Sequence, residues 1–401
     1  MAVLQQIGSA VEVATRAALT PLFLGLRRPE RSRVPRIPGV PAAVGGLAMS
    51  SKLFLDEFFF ATEVASSTIV TLRDRRRCGE EVIQALDLFE ERGWLEDPTD
   101  YHPAPPGLEQ VFVEPGRWGW LPHRHLRFES GYAPHPGEPG RDRWLGYEAN
   151  RTAHAWILEH PGPPRPWLVC VPGYRMGHPL VDFTGFRARW LHQTLGLNLA
   201  IPVMPLHGPR RVGRRGGDGF FTGDFVDTLH AHAQAVWDVR RLVTWLQDEG
   251  APAVGLYGVS LGGYTAALVA SLEEELDCVI AGIPATNFVR LVRDHLPPLV
   301  LTAAEGVGFS FTRIERMLRV VSPVALPPRV PRERRYLYAG LGDRLARAAH
   351  ARELWHHWQG PRSAWYQGGH VSFLWEQEVE RLLHRAFRES GLLPDAAPRD
   401  A

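Results

Sequence analysis

The chain has 401 residues, 45 of them basic and 44 acidic, for a formal net charge of +1, and it is 45% hydrophobic. That balance supplies no field to draw the chain to nucleic acid or to an anionic membrane, and no apolar run reaches the roughly 18 residues a membrane span needs. The length suits one large domain with an extension and a sizeable buried core.

Along Met1–Leu26, apolar Val3, Leu4, Ile7, Val11, Ala14 and Ala18 recur at helical spacing. The segment has no basic n-region, and Glu12 and Arg16 interrupt it, so a secretory signal is not expected. The expectation is an amphipathic helix packed on the protein's own body, with peripheral membrane contact as the alternative. Residues 27–45 are rich in arginine and proline and read as a linker or an extended crossing segment. Residues 50–96 read as helical: Phe54, Leu55, Phe58 and Phe59 form one apolar patch, Val82, Ile83, Leu86, Leu88 and Phe89 follow, and Gly93 is a helix stop. The segment YHPAPPG at 101–107 breaks regularity, so a helical extension over 1–110 is expected to precede a domain over 111–390, with a short tail over 391–401.

From residue 110 the pattern alternates. Strand-like runs lie at 125–132, 154–160, 167–173, 198–205, 253–260, 277–283, 335–342 and 363–369, with helical patterns at about 183–195, 225–248, 262–275, 347–358 and 372–389. Several strands are continuously apolar, as strands covered on both faces must be. The expected fold class is therefore α/β: a mainly parallel eight-stranded sheet with helices on both faces, its first two strands an antiparallel edge. Residues 284–334 interrupt the alternation and are expected to be an insertion capping a pocket. The three cysteines, Cys78, Cys170 and Cys278, give neither a disulfide framework nor a metal pattern. Cys170 and Cys278 sit inside apolar strand-like runs and read as buried thiols in a reducing cytoplasm.

Gly258-Val259-Ser260-Leu261-Gly262 satisfies G-x-S-x-G, with the apolar run AVGLYG before it and the helical run TAALVASLEEEL after it. A serine on a sharp strand-to-helix turn projects its hydroxyl above the sheet, and side chains two positions either side would collide, hence the glycines. A serine hydroxyl needs a base. Gly368-Gly369-His370 follows the last strand, and two glycines let the backbone turn the imidazole toward the sheet edge. The imidazole needs a carboxylate to set its tautomer. Asp343, ending the run YLYAGLG between Ser260 and His370, is the candidate, with a helix N-cap as its other reading and Asp294 as its rival. The oxyanion donors are expected to be the backbone N–H of Leu261 and, from the turn Pro172-Gly173-Tyr174, that of Tyr174.

Other constellations are weaker. His207 could line the substrate site, and Arg210, Arg211, Arg214 and Arg215 could meet an anion, but a solvated loop is the preferred reading. The glycines of that loop lack Walker spacing and a lysine. His230 with His232, and His356 with His357, lack the spacing of a metal site. The reading calls for no cofactor and no metal, with a small acyl compound as substrate.

With these motifs in place, residues from about 115 to 390 resemble the α/β-hydrolase superfamily. The pieces WLQDEGAPAVGLYGVSLGGYTAAL and WYQGGHVSFLWEQEVERLLHRAF resemble, more remotely, the alpha/beta-hydrolase domain-containing proteins of subgroup eighteen. The resemblance implies a triad in the chain order serine, acid, histidine, as here. Where many such enzymes have His-Gly before the second oxyanion donor, this chain has Pro172-Gly173. The expected activity is acyl transfer to water, with a carboxylic ester as first substrate. The alternatives are amide or peptide hydrolysis, acyl transfer to another acceptor, or a binding protein without turnover.

Overall fold

The structure is a computed structural model of the chain and describes residues 34–47, 49–54, 56, 57, 72–118, 121–221, 223–295, 305 and 310–394. The helix expected within 1–26, Leu55, Phe58 and Phe59 of the expected apolar patch, and the tail beyond 394 lie outside these residues; Phe54 is exposed.

Residues 49–54, 56 and 57 are helical. Helix α1 spans Leu72–Glu91 and ends ahead of Gly93, which takes the left-handed φ of 73°. Its apolar side, with Val82, Ala85 and Phe89, joins the main core. The proline-rich stretch that follows is not loose. Arg240 donates to the Pro103 carbonyl, and Arg241 donates to the carbonyls of Pro106 and Gly107.

The strands and helices then alternate. They run β1 Phe112–Trp118, β2 Leu121–Glu129, the short α2 Arg141–Leu145, β3 Thr152–Leu158, β4 Trp167–Val171, α3 Pro179–Gly185 and β5 Asn198–Pro202. After these come α4 Phe225–Asp248, β6 Val254–Val259, α5 Leu261–Val269, β7 Cys278–Gly282, α6 Phe288–His295 and α7 Phe311–Met317. The chain closes with β8 Arg335–Gly340, α8 Ala348–His357, β9 Arg362–Tyr366 and α9 Gln377–Glu389. The sheet order is β1-β2-β3-β5-β4-β6-β7-β8-β9. The first three strands and β5 pair antiparallel; from β5 to β9 every pairing is parallel.

The sheet thus has nine strands where eight were expected. The unread strand is β1: six of its seven residues are exposed, so it carries no buried apolar pattern, and Pro115 and Gly116 read as turn residues. It is held by its antiparallel ladder with β2 at the sheet's edge, where proline is tolerated. The central strands show the period of two that a sheet covered on both sides requires. In β4, Val169 and Val171 enter the core beneath α4 and α5, while Leu168 and Cys170 enter the opposite core beneath α3 and α9. All three cysteines are buried and free. The 284–334 interval holds α6 and α7, and residues 296–304 and 306–309 of it lie outside those described. Among the described residues, no helix is long and apolar enough to cross a membrane.

Candidate active site

Parallel register brings the carboxyl ends of β6, β8 and β9 to one edge of the sheet, and each delivers one polar group there. Ser260 follows β6 directly, at φ 56° and ψ −114°, an unusual conformation for a residue with a Cβ. Its N–H donates to the Gly282 carbonyl at 2.8 Å, and its carbonyl accepts the Tyr264 N–H that starts α5. A Cβ at position 258 would collide with the Gly262 carbonyl, and one at 262 with the Val171 carbonyl, so the turn closes only with glycine at both.

His370 stands four residues beyond β9. Its Nδ1 lies 2.7 Å from Asp343 Oδ2 and its Nε2 lies 2.9 Å from Ser260 Oγ. An ionised carboxylate only accepts, so Nδ1 carries the proton and Nε2 presents its lone pair to the serine O–H. Asp343, just past β8, is not the N-cap of α8, a position held by Arg347 without a side-chain bond, but its two oxygens have separate partners. Oδ2 takes the imidazole, and Oδ1 accepts the N–H groups of Leu345 and Ala346 at 2.9 and 2.8 Å, capping the turn ahead of α8. Histidine and aspartate are buried, and the serine is partly open. Burial alone would pull the His370 imidazole down. The Asp343 charge and hydrogen bond, with the charge of Asp56 behind them, outweigh it and hold the ring above its ordinary value. The rival Asp294 is elsewhere, its Oδ1 3.2 Å from Arg347 Nη1.

The turn after β4 lies against the elbow: a Cβ at Gly173 would be 3.4 Å from Ser260 Cβ. The Gly173 N–H is directed at Met176 Sδ at 3.0 Å. Asp182 braces this turn from below, accepting from the Gly177 N–H and from Trp156 Nε1, each at 2.8 Å.

In the loop after β5 the solvated reading holds for Arg211, Arg214 and Arg215, which are exposed, and fails for Arg210. Arg210 is wholly buried, 2.8 Å from Asp238 and donating to the carbonyls of Val203 and Asn150. It is a structural brace, unable to meet a ligand. His207 is wholly buried too and does not line an open cleft. Its Nδ1–H donates to the Pro205 carbonyl at 2.8 Å, and its Nε2 faces the backbone of Gly217. Its ring supports Tyr174 edge-on from 5.7 Å. Burial brings its basicity down to about 4, so it stays neutral. Arg175, bonded to Asp218 at 2.6 Å, ties this loop to the turn after β4. His230 and His357 donate to the carbonyls of Pro139 and Leu326. A cleft of about 470 Å³ between the β1–β2 hairpin and α3 includes none of Ser260, Asp343 and His370.

One residue at the site went unread in the sequence. Asp56 Oδ2 accepts the backbone N–H of His370 at 2.7 Å. The only available trace was Gly369, where a Cβ would approach Asp56 Oδ2 to 2.6 Å.

No protein-family model matches the chain. Two curated proteins of Mycobacterium tuberculosis, uncharacterized protein MT2702 of strain CDC 1551 / Oshkosh and uncharacterized protein Rv2627c of strain H37Rv, are each 41% identical to it over 365 residues. The match covers 90% of this chain and 86% of each relative. Among solved structures, an acetyl xylan esterase from Paenibacillus sp. R4 matches with a TM-score of 0.52 at 16% identity, covering 72% of this chain and 97% of that one. Acetyl xylan esterase 1 from Thermoanaerobacterium sp. JW/SL YS485 matches with a TM-score of 0.52 at 13% identity, covering 75% and 93%. At such identities the likeness is one of fold, and that fold is the α/β-hydrolase fold.

Proposed function

The chain belongs to the family of the mycobacterial proteins MT2702 and Rv2627c, and we propose that it is a serine hydrolase that cleaves an acyl bond through an acyl-enzyme on Ser260. The observation that carries this reading is the unbroken chain of contacts Ser260 Oγ, His370 Nε2, His370 Nδ1, Asp343 Oδ2, at 2.9 and 2.7 Å. Ser260 Oγ attacks the acyl carbon as His370 takes the hydroxyl proton. The oxyanion is held by the N–H of Leu261, at the start of α5, and by that of Tyr174, whose turn lies against the serine. Collapse breaks the bond to the leaving group, which receives the proton from His370. A water, deprotonated by His370, then releases the acid and restores Ser260. Every proton is carried by the chain's own groups, so the sequence of steps requires no cofactor.

A carboxylic ester is the first substrate class, because esters ask least of the oxyanion donors. The remote resemblance to alpha/beta-hydrolase subgroup eighteen suggests no substrate of its own. Three free, buried thiols support a reducing compartment such as the cytoplasm. The test is labelling by a fluorophosphonate probe together with hydrolysis of a p-nitrophenyl ester panel of increasing acyl length. Labelling and turnover that vanish in Ser260→Ala are expected. A folded wild type that neither labels nor hydrolyses would return the protein to the binding reading.

A further inference from the structure

Behind the His370 loop lies a carboxylate that the reaction above does not use. Asp56 belongs to the N-terminal segment and is wholly buried. Its Oδ2 accepts two backbone N–H groups, that of His370 at 2.7 Å and that of Arg344 at 3.1 Å, and its Oδ1 accepts that of Val371 at 3.2 Å. These donors are the base itself and the residues that directly follow the acid and the base. One side chain therefore ties together the two loops that bring His370 and Asp343 to the serine.

The segment is anchored on either side of Asp56. Lys52, the chain's one lysine, donates from Nζ to the Gln367 carbonyl at 3.0 Å and to Glu376 Oε1 at 2.5 Å. Glu57 pairs with Arg344 at 2.8 Å. The room for Asp56 is made by Gly369, since a Cβ there would overlap the carboxylate.

The charged and titratable groups facing Asp56 are few. Asp343 and Arg344 come from the loop after β8, and His370 and Tyr366 from β9 and its loop. Glu57, beside it, is occupied by Arg344, and Glu376 by Lys52. Burial pushes the Asp56 carboxyl up to about 6 and the charge of Asp343 adds to this, while His370 and the N–H donors oppose it. The carboxylate is thus mostly ionised from pH 7 upward and gives up part of its charge across the acid limb.

We infer that Asp56 is a positioning residue: by accepting N–H bonds from both loops it holds the imidazole in line between Ser260 and Asp343, and it sets a second negative charge behind that ring. The inference rests on the reading of Ser260 and His370 as nucleophile and base. It differs from a purely structural role in what it does to pH dependence. A negative charge behind the ring favours the imidazolium, so removing it lowers the pH at which His370 becomes a free base.

The experiment uses the full chain as wild type, Asp56→Asn and Asp56→Glu, with p-nitrophenyl butyrate turnover and fluorophosphonate labelling measured from pH 5 to 9 and Tm recorded for each. The asparagine is isosteric but presents an NH2 to one of three N–H donors. Its kcat is expected to fall 10- to 100-fold at little changed KM, and the acid limb of kcat/KM to move down by roughly half a pH unit. Should Asp56→Asn not fold, Asp56→Glu carries the test, with kcat lowered because the amides are out of register and the acid limb unmoved because the charge remains. An Asp56→Asn enzyme with wild-type kcat and an unmoved acid limb overturns the inference, as does a fully active Asp56→Glu. If wild type itself neither labels nor turns over, the assignment of Ser260 fails instead, and the two failures are told apart by that control.

Discussion

Replacing Asp343 by asparagine separates the two tasks its carboxylate performs. Oδ1 holds the N–H groups of Leu345 and Ala346, and Oδ2 holds the proton on His370 Nδ1. In Asp343→Asn the carbonyl oxygen must stay with the two backbone donors, because turning the amide over would leave both unmet at about 1 kcal/mol or more each. The NH2 then faces His370 Nδ1, donor against donor. The ring answers by moving its proton to Nε2, where it blocks acceptance of the Ser260 proton. The charge that stabilises the imidazolium is lost as well. Tautomer reversal in a Ser-His-Asp triad lowers kcat about 10⁴-fold, equivalent to roughly 5.4 kcal/mol at 1.36 kcal/mol per decade. Asp294 cannot stand in, being paired with Arg347. The assay is kcat on p-nitrophenyl butyrate with Tm measured in parallel. Asp343→Asn should keep the wild-type Tm because the cap survives, whereas Asp343→Ala should also lose about 2 kcal/mol with its two cap bonds. An Asp343→Asn enzyme within tenfold of wild type, with Tm unchanged, would refute the division of labour between the two oxygens.

Three further predictions concern the same frame. Ser260→Ala and His370→Ala should each lower kcat by about 10⁴ or more while Tm stays close to wild type; a His370→Ala enzyme as active as wild type removes the base assignment. Gly258→Ala drives a Cβ into the Gly262 carbonyl and should cost upwards of about 3 kcal/mol, seen as a Tm loss or as insoluble protein; a Tm within two degrees of wild type would mean that the elbow is less crowded than its geometry implies. His232 is buried against Phe220, Tyr264 and Phe288, and burial lowers its pKa to about 3. The unfolded chain binds a proton near pH 6.5 that the folded chain refuses. Stability is therefore intact above 6.5 and falls as pH drops toward 3, by about 1.4 kcal/mol per pH unit for this group. His232→Phe should lose less Tm between pH 6.5 and 4 than wild type does, and an unchanged slope counts against the neutral histidine.

The elements legible in the chain were those whose requirements are local. The apolar strands around β4, β6 and β7, the helix over 225–248, and the glycines flanking Ser260 are each dictated by neighbours a few residues away. Burial on both faces demands an unbroken apolar run, and a tight turn demands the absence of a Cβ. Strand β1 escaped because its exposed side chains carry no pattern and its backbone is satisfied only through β2. Arg210 read as a loop cation, since nothing near it in sequence announces Asp238 or the carbonyls that surround it.

Amino-acid order alone determined the fold class and nominated the serine, the histidine and the aspartate. Tertiary packing decided that Asp343 meets both the His370 ring and two backbone N–H groups, that Asp294 lies instead against Arg347, and that Asp56 reaches the amide of a residue 314 positions away. The physical reason is that backbone strain and side-chain periodicity are paid within a turn or a strand, whereas the energy of a buried charge depends on which distant groups the completed fold sets around it.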